Sequence, residues 1–368
     1  MQNGAIKPES VEEWLRETNP LELERLYAEA DRVRCIGVGD EVHLRGLIEI
    51  SNHCVRQCGY CGLRAANTNL TRYRMGTDDV LGCVRQAAQL GYGTAVLQAG
   101  EDYGLSGEWI ADLVRRIKSE TSVAVTLSLG ERSEEDLALW KKAGADRYLL
   151  RFETSDCDLY NLIHPSLPGG KSDRIGLLQK LHELGYEIGG GVMVGIPGQS
   201  YGSLAEDIRT FQRLDLDMIG IGPFIPHPGT PLGKGEWIRP IAPAEQVPNT
   251  EQMVYKTLAL ARLFCPTANL PATTALATLN QQGGRELALC RGANVIMPNL
   301  TPASYRALYE IYPNKACVNE TADHCHLCLK RLLRSIGRKP GSGQGGRQKS
   351  IRSSRLKTGG FNDPNCGS

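Results

Sequence analysis

Hydrophobic and polar positions along the chain follow one recurring unit: an amphipathic helix, a glycine and a short apolar run. The helical segments stop at Gly91, Gly144, Gly185 and Gly292, and a glycine just past a helix can adopt the left-handed conformation that closes its last turn. Short apolar runs bounded by such turns predict strands. The expected strands are 45–50, 94–98, 123–128, 146–151, 187–194, 217–221, 267–272 and 293–297.

Eight strands, mostly separated by helices, predict an α/β fold of the (β/α)8 TIM-barrel type. Functional residues of such a barrel gather at the C-terminal ends of its strands. A doubly wound open sheet is the alternative architecture. Capping residues support the helices, since Ser203 with Glu206 fits a capping box and Ser133 with Asp136 resembles one.

The two ends of the chain depart from this unit. Residues 8–34 have apolar positions at helical spacing and predict two helices. After about residue 336 the sequence is rich in Gly, Ser and basic residues, which predicts a disordered tail, with a basic arm for an acidic partner as the functional alternative. The expected organisation is N-terminal helices at 1–35, the barrel at 36–300, a C-terminal cysteine-containing extension at 301–336 and the basic tail at 337–368.

Composition and charge limit the classes of partner and the cellular location that we expect for the protein. A net charge of +1 over 368 residues gives no field that would draw the whole molecule to nucleic acid or to acidic membranes. No apolar run approaches the roughly 18 residues of a membrane-spanning helix, and the polar N-terminus lacks the apolar centre of a secretory signal. Twelve cysteines in such a chain indicate thiolate ligands or buried thiols in a reducing cytoplasm.

Three of these cysteines form a compact group, Cys54-x3-Cys58-x2-Cys61, directly after the first predicted strand. Three thiolates can hold a 4Fe–4S cluster and leave its fourth iron open to an outside ligand. An open iron can chelate S-adenosylmethionine (SAM) and pass an electron to its sulfonium, which releases a 5′-deoxyadenosyl radical. The alternatives are a structural zinc site with His53 as fourth ligand and a non-enzymatic iron–sulfur or zinc carrier.

The spacing of the three cysteines, with Tyr60 between the last two, resembles the signature of the radical SAM superfamily. In that resemblance Tyr60 is an aromatic that lines the adenine pocket. Longer stretches, among them GDEVHLRGLIEISNHC, VTLSLGE, MIGIGPFIPHPGTPL and GANVIMPNLTP, resemble the HydE-type maturases of FeFe-hydrogenase from about residue 35 to 340. Biotin synthase and methylornithine synthase share the architecture, so a sulfur-inserting or mutase reaction is the alternative radical chemistry.

The resemblance implies a full barrel with the 4Fe–4S cluster at its top and reductive cleavage of SAM. It also implies assembly of the diiron subcluster of the hydrogenase active site, the H-cluster, from a small iron–carbonyl–cyanide–cysteine substrate. The implied partners are the maturases HydG and HydF and a reductant such as flavodoxin or ferredoxin.

Residues at strand ends carry the implied SAM contacts. Gly100 and Glu101 end the second predicted strand and resemble the glycine–glutamate motif that meets the SAM amino group, where a carboxylate would accept charge-assisted hydrogen bonds. Arg151 and Glu153 alternate at the end of the fourth strand, so both can face one cavity and suit the zwitterionic end of SAM; a structural ion pair is the alternative. Arg174 starts the next helix and resembles a SAM-contacting arginine.

The implied substrate site consists of polar side chains at strand ends and two tyrosines of the C-terminal region. The expected residues are Gln98, Thr126, Ser128, Thr273, Thr274, Tyr309 and Tyr312. Threonines at strand ends are often only good strand formers, so their contact with a small anionic or cysteine-derived ligand comes from the resemblance. Two positions depart from the family pattern, because Ala99 stands where some relatives have Ser and Phe152 stands where His is expected.

A second triad, Cys317-x7-Cys325-x2-Cys328, follows the eighth predicted strand. Three thiolates again suit an iron–sulfur centre with one site filled from outside. Zinc is the alternative, with His324 or His326 supplying nitrogen. The resemblance implies an accessory 2Fe–2S or 4Fe–4S cluster that is dispensable for the radical chemistry.

Overall fold

A computed structural model describes residues 10–318 and 320–347. Its strands are β1 (Glu41–Ser51), β2 (Thr94–Ala99), β3 (Ala124–Ser128), β4 (Arg147–Leu149), β5 (Glu187–Val194), β6 (Met218–Pro223), β7 (Val295–Ile296) and β8 (Lys339–Pro340). The order in the sheet is β6-β5-β4-β3-β2-β1-β7, and β8 pairs with the start of β1. These pairings are all parallel.

A short segment between β6 and β7 joins the two edges of this sheet. Met218 forms a parallel bridge with Asn269, and Pro271 forms one with Val295. Residues 269–271 thereby complete a ring of eight parallel segments, which confirms the predicted barrel. The predicted strand 267–272 is reduced to these two bridges because Pro271 has no N–H to donate to a neighbouring strand.

Helices cover the outside of the ring between successive strands, as the alternating pattern predicted. They are α1 (Val11–Arg16), α2 (Pro20–Val38), α3 (Thr77–Gln89), α4 (Gly107–Glu120), α5 (Glu134–Ala143), α6 (Cys157–Ile163), α7 (Arg174–Glu183), α8 (Tyr201–Arg213), α9 (Glu251–Phe264), α10 (Thr274–Leu279), α11 (Gly284–Leu289), α12 (Ala303–Arg306) and α13 (Ala322–Ser335), with 3-10 turns at Leu232–Lys234 and Pro243–Glu245. In the ranges described, none of these helices is long and apolar enough to cross a membrane.

Helix ends match the expectations in most places. The two helices predicted in 8–34 are α1 and α2, although α2 continues to Val38, past the expected boundary at 35. Ser133 caps α5 as predicted. The capping box predicted for α8, Ser203 with Glu206, is wrong by three residues. The N-cap is Ser200, and Ser203 is its partner.

Strand β1 shows how the ring obtains a polar interior. Ile48 and Ile50 are fully buried in the apolar core between strands and helices. Successive side chains of a strand face opposite sides, so Arg45 and Glu49 point into the ring. Arg45 bonds the carbonyl of Gly345 there at 3.0 Å. The apolar core thus lies around the ring, and the inside is available for polar ligands.

Residues 339–347, the C-terminal strap, lie across the N-terminal end of the ring. The strap carbonyls of Gln344 and Gly345 accept hydrogen bonds from four side chains of the ring, Thr94, Arg147, Arg45 and Asn269. This corrects the disordered tail expected after residue 336, because buried donors at the strand starts need acceptors and the strap backbone supplies them. The rest of that prediction, 348–368, lies outside the described residues.

Candidate active site

The first cysteine triad occupies the loop that leaves β1 at the C-terminal end of the ring. Backbone hydrogen bonds fix this loop on both sides. The Val55 N–H donates to the Glu101 carbonyl at 3.0 Å, and the Gly59 N–H donates to the Ile163 carbonyl at 2.7 Å. The end of β2 and the end of α6 therefore hold the triad at the mouth of the barrel, where the sequence predicted it.

The three thiols of this triad are neighbours. Burial raises the pKa of the Cys58 thiol to about 12, and Cys54 adds to the rise. Burial and both other thiols also raise the pKa of Cys61. Thiols that resist ionisation on their own fit a bound metal centre, whose positive charge stabilises the thiolates. In the described part of the chain no group of three or more His, Cys, Asp or Glu side chains is arranged as it stands to hold a metal ion, so the proximity of the three thiols rests on their mutual effect on the pKa values.

Gly100 allows the end of β2 to approach the triad. A Cβ at this position would lie 2.2 Å from the carbonyl oxygen of His53 and 2.9 Å from the Cβ of Cys54. No side chain tolerates contacts this short, so only glycine brings the β2 backbone beside the thiols. This close approach agrees with the predicted place of Gly100 next to a cluster-bound cofactor.

The Glu101 carboxylate already has partners. It accepts hydrogen bonds from Arg56 Nε at 2.7 Å, from the Tyr103 hydroxyl at 3.0 Å and from the Glu131 N–H at 3.0 Å. The resemblance implies that this carboxylate meets the SAM amino group, and that assignment stays a prediction. Arg56, in the loop of the triad, reaches the end of β2 and pairs with Glu101, so Glu101 also fixes the triad loop.

Glu131, after β3, connects the groups around the triad. Its carboxylate lies 2.9 Å from Arg56 Nη2, 3.0 Å from Arg174 Nε and 3.5 Å from His164 Nε2. Burial would raise the pKa of Glu131, but hydrogen bonds from His164 and Ser172 and the charges of Arg174 and Arg56 lower it to about 2. Glu131 is therefore an anion at neutral pH that orients both arginines.

Arg151, Glu153 and Arg174 come together as predicted. Glu153 Oε2 lies 3.1 Å from Arg151 Nη2, and Arg174 Nη1 donates to the Arg151 carbonyl at 2.7 Å. Glu153 has φ +62°, a strained conformation for a non-glycine residue of the kind found at functional sites. Arg151 Nε is buried and has no hydrogen-bond partner, whereas Glu153 Oε2 has the Arg151 ion pair. A buried pair with one donor atom free fits the zwitterionic amino-acid end of SAM and also fits the structural ion pair given as the alternative.

Tyr60 packs against a small apolar cluster at the mouth that is separate from the main core. The buried members of this cluster are Leu159, Ile163, Met193, Ile196, Phe224 and Leu232. The Tyr60 hydroxyl lies 3.3 Å from His164 Nδ1. An apolar wall with a few polar groups suits a flat heteroaromatic ring, so its position is compatible with an adenine pocket and also with simple packing.

Four of the predicted substrate residues meet inside the ring. Gln98 and Ser128 are in register on β2 and β3, and Gln98 Nε2 donates to the Tyr309 hydroxyl at 3.2 Å. Thr126 lies one layer deeper, and its buried Oγ1 has no hydrogen-bond partner. These polar groups therefore face the interior of the ring.

The remaining predicted substrate residues are engaged to different degrees. Thr273 caps α10 and also donates its hydroxyl to the Ile221 carbonyl at 3.2 Å, so its role in the fold explains the threonine. Thr274 starts α10 and is half-buried. Burial and the nearby charge of Glu49 raise the pKa of Tyr312, which places its hydroxyl beside the same interior.

The Radical SAM superfamily profile matches residues 48–211. Over 326 residues, 89% of each protein, the chain is 47% identical to the "[FeFe] hydrogenase maturase subunit HydE" of Thermotoga maritima.

The chain belongs to the HydE family of radical SAM enzymes.

Two further comparisons agree with this placement. The 3-methylornithine synthase of Methanosarcina acetivorans is 28% identical over 279 residues, 75% of this chain and 74% of that protein. The crystal structure of methylornithine synthase (PylB) has a TM-score of 0.76 and 25% identity, covering 92% of this chain and 95% of that one. As a HydE-family member the chain is an enzyme that uses a 4Fe–4S cluster and SAM.

In this HydE-family chain the cysteines of the second triad lie on α13 and in the loop before it. Cys325 and Cys328 share a face of α13 because they lie at helical spacing, and Cys317 has φ +62° in the preceding loop. Burial, and then the Cys317 thiol, raise the pKa of Cys325 to about 11. All three line a cavity of about 750 Å³. His326 Nδ1 lies 3.2 Å from the Tyr92 hydroxyl, so this ring already has a partner outside the triad.

Sequence reasoning missed three residues around the first triad of this HydE-family chain. Arg56 lies between its cysteines and holds Glu101, and the only signal was its position in the loop. Glu131 follows the third strand much as Glu101 follows the second, so the strand-end rule could have found it. His164 carried no signal, because it follows a helix, α6. Phe152 points away from the site, as alternation predicted, and packs on Phe211 with ring centroids 5.9 Å apart.

Proposed function

We propose that this enzyme takes part in assembling the diiron subcluster of the FeFe-hydrogenase active site. The observation that carries the proposal is the 47% identity with a hydrogenase maturase subunit over 89% of both chains. The methylornithine-synthase-like alternative rests on 28% identity over a shorter stretch. No feature of the described cavity favours that alternative or a biotin-synthase-like reaction over the maturase role.

A bound 4Fe–4S cluster with SAM would supply a 5′-deoxyadenosyl radical through reductive cleavage of SAM. The residues of this chain hold and orient these groups. The thiols of Cys54, Cys58 and Cys61 would ligate the cluster, and Arg151 with Glu153 would bind the charged groups at the methionine end of SAM. The buried Arg151 Nε, which has no hydrogen-bond partner, and the buried Glu153 carboxylate beside this arginine support the assignment.

The proposed substrate is a small iron–carbonyl–cyanide–cysteine complex that the enzyme takes from HydG. HydF is the further proposed partner, and a flavodoxin or ferredoxin is the proposed reductant. The buried Thr126 Oγ1, which has no hydrogen-bond partner, and the hydrogen-bonded pair of Gln98 and Tyr309 support a small polar ligand in the ring.

The second triad, Cys317, Cys325 and Cys328, is proposed to hold an accessory 2Fe–2S or 4Fe–4S cluster. Adjacent thiols on α13 and its preceding loop, together with a cavity of about 750 Å³ beside them, support this proposal. A site outside the ring fits a role apart from the radical chemistry.

The test uses protein reconstituted anaerobically with iron and sulfide, reduced in the presence of SAM. We expect 5′-deoxyadenosine and methionine, and activation of unmatured hydrogenase when HydG and HydF are added. Cys61→Ser should abolish both, whereas Cys290→Ser, which changes an exposed thiol, should affect neither.

Each possible failure points to a different error. No SAM cleavage by protein with a full cluster would overturn the radical chemistry. Cleavage without hydrogenase activation would overturn the maturation role, and turnover of lysine or dethiobiotin would establish the alternative reaction.

A further inference from the structure

Glu49 is a buried carboxylate inside the ring that is only half satisfied. Its side chain is 1% exposed. Oε1 accepts a hydrogen bond from Lys315 Nζ, whereas Oε2 is buried and has no hydrogen-bond partner. An unsatisfied oxygen of a buried carboxylate is destabilising, so a native structure that retains one calls for a reason in its function.

Glu49 faces the same interior of the ring as the predicted substrate residues. It is in register with Gln98 on the neighbouring strand, and Gln98 bonds Tyr309 above it. Lys315 Nζ lies 5.0 Å from the centre of the Tyr309 ring and also donates to the Tyr309 carbonyl at 3.3 Å. Burial, and then the charge of Glu49, raise the pKa values of both Tyr309 and Tyr312. These contacts place the carboxylate inside the ring, next to the two tyrosines.

Lys315 pairs with the carboxylate from one side only. The ammonium side chain is 7% exposed and neutralises one oxygen of Glu49 from the side of the C-terminal extension. A carboxylate only accepts hydrogen bonds, so the free Oε2 requires a donor. The chain supplies none among the described residues, so a ligand inside the ring would have to supply it.

We propose that Glu49 binds an amine or ammonium group of the substrate through Oε2, with Lys315 as the residue that fixes the carboxylate. The proposal rests on the proposed function only in assuming that a small substrate enters the ring. Beyond that function, the proposal identifies an amine as the chemical group that Glu49 recognises inside the ring.

The experiment compares two probes that differ only in the amine, L-cysteine and 3-mercaptopropionate. Binding is measured by calorimetry on reconstituted, SAM-loaded full-length enzyme without reductant, so that no turnover occurs. We expect wild-type enzyme to bind L-cysteine about tenfold or more tightly, since a charge-assisted hydrogen bond to a buried carboxylate is the added contact. Glu49→Gln should remove most of that preference, and Glu49→Asp should reduce it because the shorter side chain reaches less far.

Glu187→Gln is the matched control. It breaks a carboxylate–arginine pair, Glu187 with Arg147, at the opposite end of the ring and should leave the preference unchanged. Equal binding of the two probes by wild-type enzyme, or no binding of L-cysteine, overturns the proposal without any variant. A preference that persists in Glu49→Gln also overturns it. SAM cleavage measured separately tests the radical chemistry, so failure of that assay is distinguishable from failure of the amine site.

Discussion

Nδ1 of His164 lies 3.0 Å from Sγ of Cys58, and both side chains are buried. The other edge of the imidazole faces Glu131, with Nε2 3.5 Å from its carboxylate. Tyr160 stacks on the ring with centroids 5.1 Å apart. One histidine that follows α6 thus connects a proposed cluster ligand with the acidic centre of the arginine network.

This contact predicts an effect of His164 on the reduction potential of the cluster. Burial and the charge of Arg174 lower the pKa of His164 to about 4, so the neutral ring has one N–H. A thiolate bound to iron can only accept, so the tautomer with this hydrogen on Nδ1 would donate to Cys58 and stabilise the reduced, more negative state. His164→Phe should lower the midpoint potential by on the order of 50 mV, about a tenfold change in a one-electron equilibrium. An EPR-monitored redox titration of the reconstituted protein measures it.

The matched control for this prediction is His182→Phe. His182 is exposed on α7, so its loss should leave the potential at the wild-type value. Equal potentials in all three proteins would show that the imidazole does not interact with the ligand sulfur.

Asp207 on α8 predicts a pH dependence of stability. Burial raises its pKa to about 7, although the Ser155 N–H and hydroxyl and the Thr154 hydroxyl bond the carboxylate. The folded state then binds a proton that the unfolded state releases near pH 3.8. The contribution of this proton to the free energy of unfolding is fully present below pH 3.8 and is lost as the pH rises through about 7.

Asp207→Asn should therefore remove this pH dependence of the free energy of unfolding, since an amide has no proton to release. Urea unfolding at a series of pH values between about 4 and 8 compares the two proteins. The free energy of unfolding of the wild type should fall relative to the variant across this range, by up to about 4 kcal/mol if the whole shift is expressed. Parallel curves would mean that Asp207 ionises at its ordinary pKa in the folded protein.

The two triads predict separable iron sites. Replacing Cys317, Cys325 and Cys328 by serine should remove the iron and absorbance of the second site and leave SAM cleavage near the wild-type rate, because the first triad lies in another loop. Replacing Cys54, Cys58 and Cys61 should abolish cleavage and leave the second site loaded. Iron analysis and Mössbauer spectra check both outcomes. Loss of all iron in either variant would contradict independent sites.

The periodicity of apolar residues predicted most of the fold, because neighbouring residues in the sequence determine which faces of each strand are buried. The strand predicted at 187–194 is β5 with the same bounds. The errors arise where another effect outweighs the pattern. Pro271 interrupts one strand by lacking a donor, and the start of α8 offers several hydroxyls, so Ser200 and not Ser203 became the cap. The strap could not be predicted, since its glycines carry no apolar signal and bind through backbone carbonyls.

The candidate site was predictable where a motif fixes both chemistry and position. The cysteines and the Arg151–Glu153 pair fall into this class. The pairing of Glu101 with Arg56 was not predicted, because the sequence does not show that Arg56 folds back onto the end of β2. Glu49 and Lys315 were missed for a similar reason, since residues far apart in sequence meet only after the ring closes.

The last prediction concerns the strap, which lies against Gly93 at the start of β2. A Cβ at Gly93 would lie 1.6 Å from the carbonyl oxygen of Gly343, so Gly93→Ala must displace the strap and strip acceptors from buried Arg45. We expect a loss of about 1–3 kcal/mol in the free energy of unfolding, measured by urea or thermal denaturation. Gly82→Ala is the control, because a Cβ there meets nothing within 4 Å and alanine favours the α3 helix by up to about 1 kcal/mol. Wild-type stability in Gly93→Ala would mean that the strap does not close the ring in solution.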